Sequence, residues 1–306
     1  MHKSRGARLW RRIWASRYLY LMFLPVFLYY VIFRYGPMLG LSIAFKDFNA
    51  FLGFEKSPWV GFKYFQQFFN SIYLWRLVRN TLLINLYDLL FNFPAAIVLA
   101  LLLNEVQNRR FKKTVQTITY MPYFISSVVI ASMVVQFLSP SSGIVNNIIA
   151  AFGGERQYFM VQPESFRTIY TLMNLWKNVG WNSIIFLAAI SGINRELYEA
   201  CRVDGGGHLR QTWHITLPGI ASTIVIMLIM RLGHVMDAGY ETILLLQSNP
   251  ILETSDVIGT YVYRRGLKGG EYSYATAVGM FQSVIGFAMV IIANQLSRRY
   301  SETSLW

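Results

Sequence analysis

The sequence predicts an all-α polytopic membrane protein with six transmembrane helices, and three observations carry that prediction. Of 306 residues, 54% are hydrophobic and only 14% are charged, whereas a soluble domain carries about 25% charged residues. The mean hydropathy is +0.37. The apolar residues gather into runs close to the roughly 20 residues that cross the hydrocarbon as a helix, and basic segments containing Gly and Pro separate those runs.

Residues 1–17 form a basic tail with Lys3, Arg5, Arg8, Arg11, Arg12 and Arg17, among which Trp10 and Trp14 suit the membrane interface. Span 1 is expected at 18–34. Its strictly apolar part, Tyr18–Phe33, is about 24 Å of helix, so Arg17 and Arg34 must snorkel or the helix must extend. The run ends at Arg34-Tyr35-Gly36-Pro37 without a small-x-small cleavage site, so it is expected to be a retained helix. The aromatic-rich segment up to Arg79 is expected to pack as amphipathic pieces on the outer surface. Span 2 is expected at 80–103, followed by a basic loop with Arg109, Arg110, Lys112 and Lys113. The uncharged run 120–138 gives span 3. Span 4 is expected at 168–190, interrupted by Lys177. Span 5 covers 217–246 if the apolar run past Met236 continues the helix. Span 6 is expected at 273–296, ahead of Arg298 and Arg299.

Six spans put both termini on one side. That side carries 15 Lys and Arg against 11 on the other, with the excess close to the membrane. Both termini and the loops 104–119 and 194–216 are therefore expected in the cytoplasm. The net charge of +13 fits an anionic inner leaflet and membrane lipid. It does not suit nucleic acid, because the basic residues flank apolar runs. The single cysteine, Cys201, excludes an internal disulfide and a cysteine-based metal cluster.

The stretch 194–216 is more than a connection. Residues 195–203 favour a helix, with Leu197, Ala200 and Cys201 on one face. Gly205, Gly206 and Gly207 must break or bend the chain. A second turn starts at His208, and Thr216 is placed to cap span 5 with Pro218 in its first turn. The result is a helix–turn–helix elbow on the cytoplasmic surface, suited to transmitting force to the spans.

Glu199-Ala200-Cys201-x-x-Asp204-Gly205-Gly206, followed by Ile215-Thr216-Leu217-Pro218, resembles the EAA loop of binding-protein-dependent ABC importer permeases. The usual pattern is Glu-Ala-Ala-x-x-Asp-Gly-Ala, then Ile-x-Leu-Pro. Cys201 and Gly206 replace alanines, and Thr212 stands where phenylalanine is common. Phe45-Lys46-Asp47-Phe48, Leu102-Leu103-Asn104-Glu105-Val106, Tyr120-Met121-Pro122 and the terminal Leu305-Trp306 look like the sugar-type subgroup that includes oligosaccharide, alginate and pectin-fragment importers.

The resemblance implies a type I permease fold in the bacterial inner membrane. It implies pairing with a second homologous permease, two cytosolic ATPase subunits that bind ATP and Mg, and an extracytoplasmic solute-binding protein. Glu199 and Ala200 would meet the ATPase. Asp204 and Gly205 would shape the turn. Gly206, Gly207, Leu209 and Trp213 would fill its groove.

Polar residues inside spans each need a reason, because a charge at bilayer depth costs roughly 2.5–3.5 kcal/mol on insertion scales. Asn85, Asp88 and Asn92 share one face of span 2, and Asn174, Lys177 and Trp181 share one of span 4. Arg231, His234, Asp237, Tyr240 and Glu241 cluster in span 5, and Gln282 stands in span 6. They read either as a sugar path or as interhelical hydrogen bonding. Lys177, Arg231 and His234 would favour an acidic sugar, unless Arg231 pairs internally with Asp237 or Glu241.

The chain lacks G-x-x-x-x-G-K-[ST], H-E-x-x-H, G-x-S-x-G and any Cys/His metal spacing. No catalytic residue, metal ligand or cofactor is therefore assigned to it, and ATP hydrolysis is expected on separate subunits. His208 and His214 read as surface residues. A self-sufficient secondary transporter would show paired repeats around a midplane ion site, and none is visible. A membrane enzyme would need a carboxylate cluster on a loop, whereas the acidic residues are scattered.

Overall fold

The computed structural model describes residues 14–300. The basic residues and Trp10 of the tail up to Arg12, and Leu305-Trp306, lie outside the described residues. Within them the elements are helical, apart from one antiparallel bridge between Lys46 and Trp59.

Helix α1, Arg17–Phe45, runs well past Arg34. It passes Pro25 and then widens into a π turn over Val31–Tyr35, which re-seats the backbone near a proline that lacks a donor. From Leu19 to Phe33 its apolar side chains are exposed, and its far end packs against the last helix and against Lys63–Phe69. Beyond it, Lys46 is buried. Its ammonium donates to the Phe54 carbonyl at 2.7 Å and sits over the Phe54 and Trp59 rings. Asp47 accepts from the Tyr64 hydroxyl at 2.5 Å and from Lys63. The Tyr64 hydrogen bond, helped by Lys63, holds the Asp47 carboxyl below its usual range. Burial and the Asp47 carboxylate push the Tyr64 phenol up to about 12. Tyr64 lies on α2, Lys63–Phe69.

Helix α3, Leu74–Glu105, begins a turn and a half before the expected span. A π turn over Asp88–Asn92 precedes Pro94 and carries the helix past it. That wide turn leaves Asp88 and Asn92 buried, with the Asn92 amide donating to Asp88 at 2.5 Å.

The basic loop is helical. Helix α4, Arg109–Phe124, is capped by the Asn108 side chain. It turns 99° into α5, Ser127–Phe137, where the Ser126 hydroxyl caps the new helix. Span 3 is thus not one straight helix over 120–138. Pro122, in a 3₁₀ turn at Met121–Phe124, and the Ser126 cap break it. After α6, Ile144–Ala151, the long α7 covers Pro163–Ser191. At 29 residues it spans about 43 Å. Gly180 lets α4 approach α7 so closely that a Cβ there would strike the Thr119 carbonyl.

The elbow comprises α8, Arg195–Val203, and α9, His208–Gly219. A 58° bend at Ile220 joins α9 to α10, Ala221–Gly233. Span 5 does not continue to Leu246 as one helix. The chain turns after Gly233, passes Gly239 at φ 66, and only then forms α11, Tyr240–Leu246. A left-handed residue cannot extend a right-handed helix. The short α12, Ile258–Val262, leads towards α13, Tyr272–Tyr300.

By length and apolar composition α1, α3 and α13 each qualify to cross a membrane, and the two bent pairs raise the number to five. Helix α7 is long enough but more polar.

Three buried clusters hold the bundle. One joins Ile84, Ile130, Phe166, Tyr170 and Ile243, and another joins Phe68, Leu77, Ile258, Tyr261 and Tyr274. The third packs Ala96 and Ala100 of α3 against Phe186 and Ile190 of α7, small residues that let helices approach closely. Asp256, fully buried, ties the far end together. It accepts from Arg76 at 2.9 Å and from Arg264 at 2.8 Å, while its backbone carbonyl takes the Asn80 amide at 3.0 Å. Asp256→Ala strands both guanidiniums and is expected to destabilise the chain by about 3–5 kcal/mol, measured as thermal unfolding in detergent; an unchanged midpoint would remove this node from the account.

Candidate functional site

Two regions collect most of the residues singled out in the sequence: the elbow, and a polar cavity between α3, α7 and α10.

On the elbow, the Asn194 side chain caps α8 by accepting from the Glu196 N–H at 3.0 Å. Gly205 has φ 77, which a side chain would strain. Gly206 is buried, and a Cβ there would strike the Cys201 sulfur. Gly207 is different: it has φ −77 and open space, so its identity is not demanded. Thr216 does not cap span 5. It lies buried inside α9, within 3.0 Å of the Tyr198 hydroxyl, because the helix runs through it and bends only at Ile220. Gln211, unmarked in the sequence, donates to the Gly206 carbonyl at 3.1 Å and closes the turn.

His208 is more than a surface residue. Its Nδ1 lies 2.6 Å from Glu105 at the end of α3 and pins the elbow to that helix. The Asn104-Glu105 pair beside a basic segment was the available signal. Glu199 is exposed and forms no ion pair with Arg195 or Arg202 among the described residues. With Glu105, Lys112, Tyr198 and His208 it lines an open cleft of 610 Å³. Ala200 and Asp204 are exposed too. So are Leu209 (79%) and Trp213 (67%), which nothing among the described residues covers.

The polar cavity has a volume of 350 Å³ and is lined by Asn85, Asp88, Asn174, Lys177, Arg231 and Asp237. Its wall also includes His234, Asn178, Tyr170 and Thr242. Asn178 escaped sequence reading although it lies four residues, one helical turn, beyond Asn174. Arg231 pairs with Asp88, not with Asp237 or Glu241. The reason is the bend after Gly233, which separates α10 from the residues that follow. Lys177 donates to the Ser127 hydroxyl at 3.0 Å. Tyr170 donates to the Ala238 carbonyl at 2.6 Å and fixes the turn that carries Asp237.

The other path residues lie elsewhere. Trp181 stacks on Tyr123 with centroids 4.4 Å apart. Tyr240 meets the Tyr263 ring, and Glu241 is exposed. Gln282 lines a neighbouring cleft of 290 Å³ with His234 and Asp237. Among the described residues no group of His, Cys, Asp or Glu is arranged to hold a metal ion.

A helical bundle with apolar crossing helices, a polar cavity within it and a projecting glycine elbow defines a membrane permease subunit. Residues 93–302 match the family described as binding-protein-dependent transport system inner membrane component, and the chain belongs to it. Its members are transporter permease subunits and not enzymes. The chain is 43% identical to the polygalacturonan/rhamnogalacturonan transport system permease protein YteP of Bacillus subtilis (strain 168), over 99% of this chain and 95% of that protein. It is 42% identical to protein LplB of the same organism, over 95% and 92%. Among solved structures it resembles a chain of a bacterial alginate ABC transporter in complex with an alginate pentasaccharide-bound periplasmic protein. That likeness has a TM-score of 0.90 and 45% identity, and it covers 97% of this chain and 100% of the other.

Removing Arg231 leaves the Asp88 carboxylate, only 10% exposed, without its cation. Arg231→Met is expected to cost about 3–5 kcal/mol, and Asp88→Leu in the same chain to recover most of it. Thermal unfolding of the single and double variants measures the coupling; additive losses would mean that the pair does not act as one.

Proposed function

We propose that this chain is a permease subunit of an ATP-driven importer for oligo- or polysaccharide, with acidic, uronate-containing sugars as substrate. One observation carries the reading: polar residues from three separate helices converge on one 350 Å³ cavity that includes Lys177 and Arg231. Amide and carboxylate groups there can bond sugar hydroxyls, and Lys177, which makes no ion pair among the described residues, can meet a sugar carboxylate. Similarity to polygalacturonan and alginate transport proteins supports the same substrate class.

The subunit works with a second homologous permease. Helix α1, whose apolar side chains from Leu19 to Phe33 are exposed among the described residues, supports that pairing. Two cytosolic ATPase subunits bind ATP and Mg and receive the elbow, with Leu209 and Trp213 in their groove and Glu199 against a basic residue. A solute-binding protein delivers sugar on the other side. The chain crosses the bacterial cytoplasmic membrane six times, with α7 and the two bent pairs as crossings and both termini in the cytoplasm. ATP binding draws the two elbows together, and the helices tip between inward- and outward-facing states. A self-sufficient secondary transporter has no support in this arrangement.

The assembled transporter in proteoliposomes, given neutral and uronate oligosaccharides, is expected to take up the uronates in an ATP-dependent manner. Uptake by this chain alone would overturn the reading. Glu199→Lys and Gly206→Val are expected to leave membrane insertion intact and to lower uptake per ATP by about tenfold or more, since one ion pair or one buried turn is worth 1–3 kcal/mol. Gly207→Ala is expected to behave as the parent. Equal uptake in all of them would detach the elbow from the mechanism.

A further inference from the structure

The ends of α3 and α7 remote from the elbow hold more positive charge than their neighbours neutralise. Arg79 lies in the second turn of α3 and Arg167 in the first turns of α7, and their charges repel one another. Both are half-buried. Among the described residues Arg79 makes no ion pair and no hydrogen bond, and the Nε atoms of both side chains are buried without a partner. The nearby buried carboxylate, Asp256, is already taken by Arg76 and Arg264. Exposed Glu253 attracts Arg167 only from beyond ion-pair distance. Asn80 fixes the geometry. Its amide nitrogen donates to the Glu253 and Asp256 carbonyls, so its oxygen is left facing Arg167, which donates to it at 2.9 Å.

Folded proteins rarely leave two neighbouring guanidiniums part-desolvated without a counter-ion, because buried N–H groups such as the two Nε atoms then lack an acceptor and the charges repel. Such a pair fits an anion that arrives from outside the chain. Position says which anion. Arg167 sits about one turn outward of Tyr170 and two of Asn174, both on the cavity wall. Arg79 likewise lies outward of Ile84 and Asn85, which line the same cavity. The pair therefore stands over the end of the polar cavity opposite the elbow.

We propose that Arg79 and Arg167 form an anion-binding portal that holds the carboxylate of one uronate unit as the oligosaccharide enters the path to the cavity. The inference rests on the acidic-sugar reading above and adds the residues that select for charge. A guanidinium meets a carboxylate through two parallel N–H···O bonds, a geometry that neutral sugars cannot satisfy.

The test uses the complete transporter in proteoliposomes, with saturating binding protein and a galacturonate trisaccharide. Arg79→Gln is the informative variant, since the Arg79 side chain makes no hydrogen bond and no ion pair among the described residues. It is expected to lower trisaccharide uptake about tenfold, the size of one lost charge-assisted contact. Arg79→Lys is expected to restore most of the uptake, and affinity of the binding protein for the transporter to stay unchanged. Undiminished uptake in Arg79→Gln would overturn the portal. So would a fall in uptake matched by an equal fall in binding-protein affinity, which would assign the pair to an acidic patch on that protein. A parent transporter that imports neutral sugars but no uronate would instead sink the acidic-sugar reading itself.

Discussion

The ion pair between Asp88 and Arg231 is the constraint around which the cavity is built. Two charges inside a helical bundle are tolerable only together, and neither helix can shift without separating them. The pair forces Asp88 to face inward, and the π turn at Asp88–Asn92 makes that possible next to Pro94. It also fixes the rotation of α10, so that His234 joins the same wall. The polar side chains Asn85, Asn174, Lys177 and Asp237 line the region around the pair.

Much of this was legible in the sequence, for reasons that follow from period and composition. The helical class came from apolar runs, and the polar residues of span 2 came from spacing, because residues three and four apart share a face of any helix. Asn85 and Asp88 do meet Asn174, Lys177, Arg231 and Asp237 around one cavity. The helix over 195–203 and the break at Gly205 followed from local chemistry, namely the shared face of Leu197, Ala200 and Cys201 and a residue free to adopt positive φ, and the structure adds the Asn194 cap.

What failed shares one cause. Hydropathy reports apolar length but not backbone direction. The run 120–138 looks continuous, yet Pro122 and the Ser126 cap turn the chain by 99°. The run past Met236 looks like more helix, yet α10 ends at Gly233 and the chain passes Gly239 in the left-handed region, so Arg231 pairs with Asp88 and not with Asp237 or Glu241, although Asp237 shares its cavity. Partners distant in sequence were equally invisible. Glu105 and His208, or Asn80 and Arg167, meet only because α3 packs along the rest of the bundle.

The same helix that forms the cavity wall also receives the elbow. His208 binds Glu105 at one end of α3, while Asp88 lies 17 residues away, about 26 Å along the same rod. The elbow's other limb, α9, continues through the 58° bend into α10, which carries Arg231. A displacement applied to the elbow thus has two routes into the cavity, and Asp88 and Arg231 join those routes at the far end. Two rods held at both ends move as one body, so force on the elbow tilts the wall instead of shearing it. Gly206 and Gly180 serve that stiffness: each admits a backbone approach that a side chain would hold apart. An elbow on a loose tether would absorb motion, whereas this one is braced by a close turn, an ion pair and a continuing helix, as the rigid-body alternating access proposed above requires.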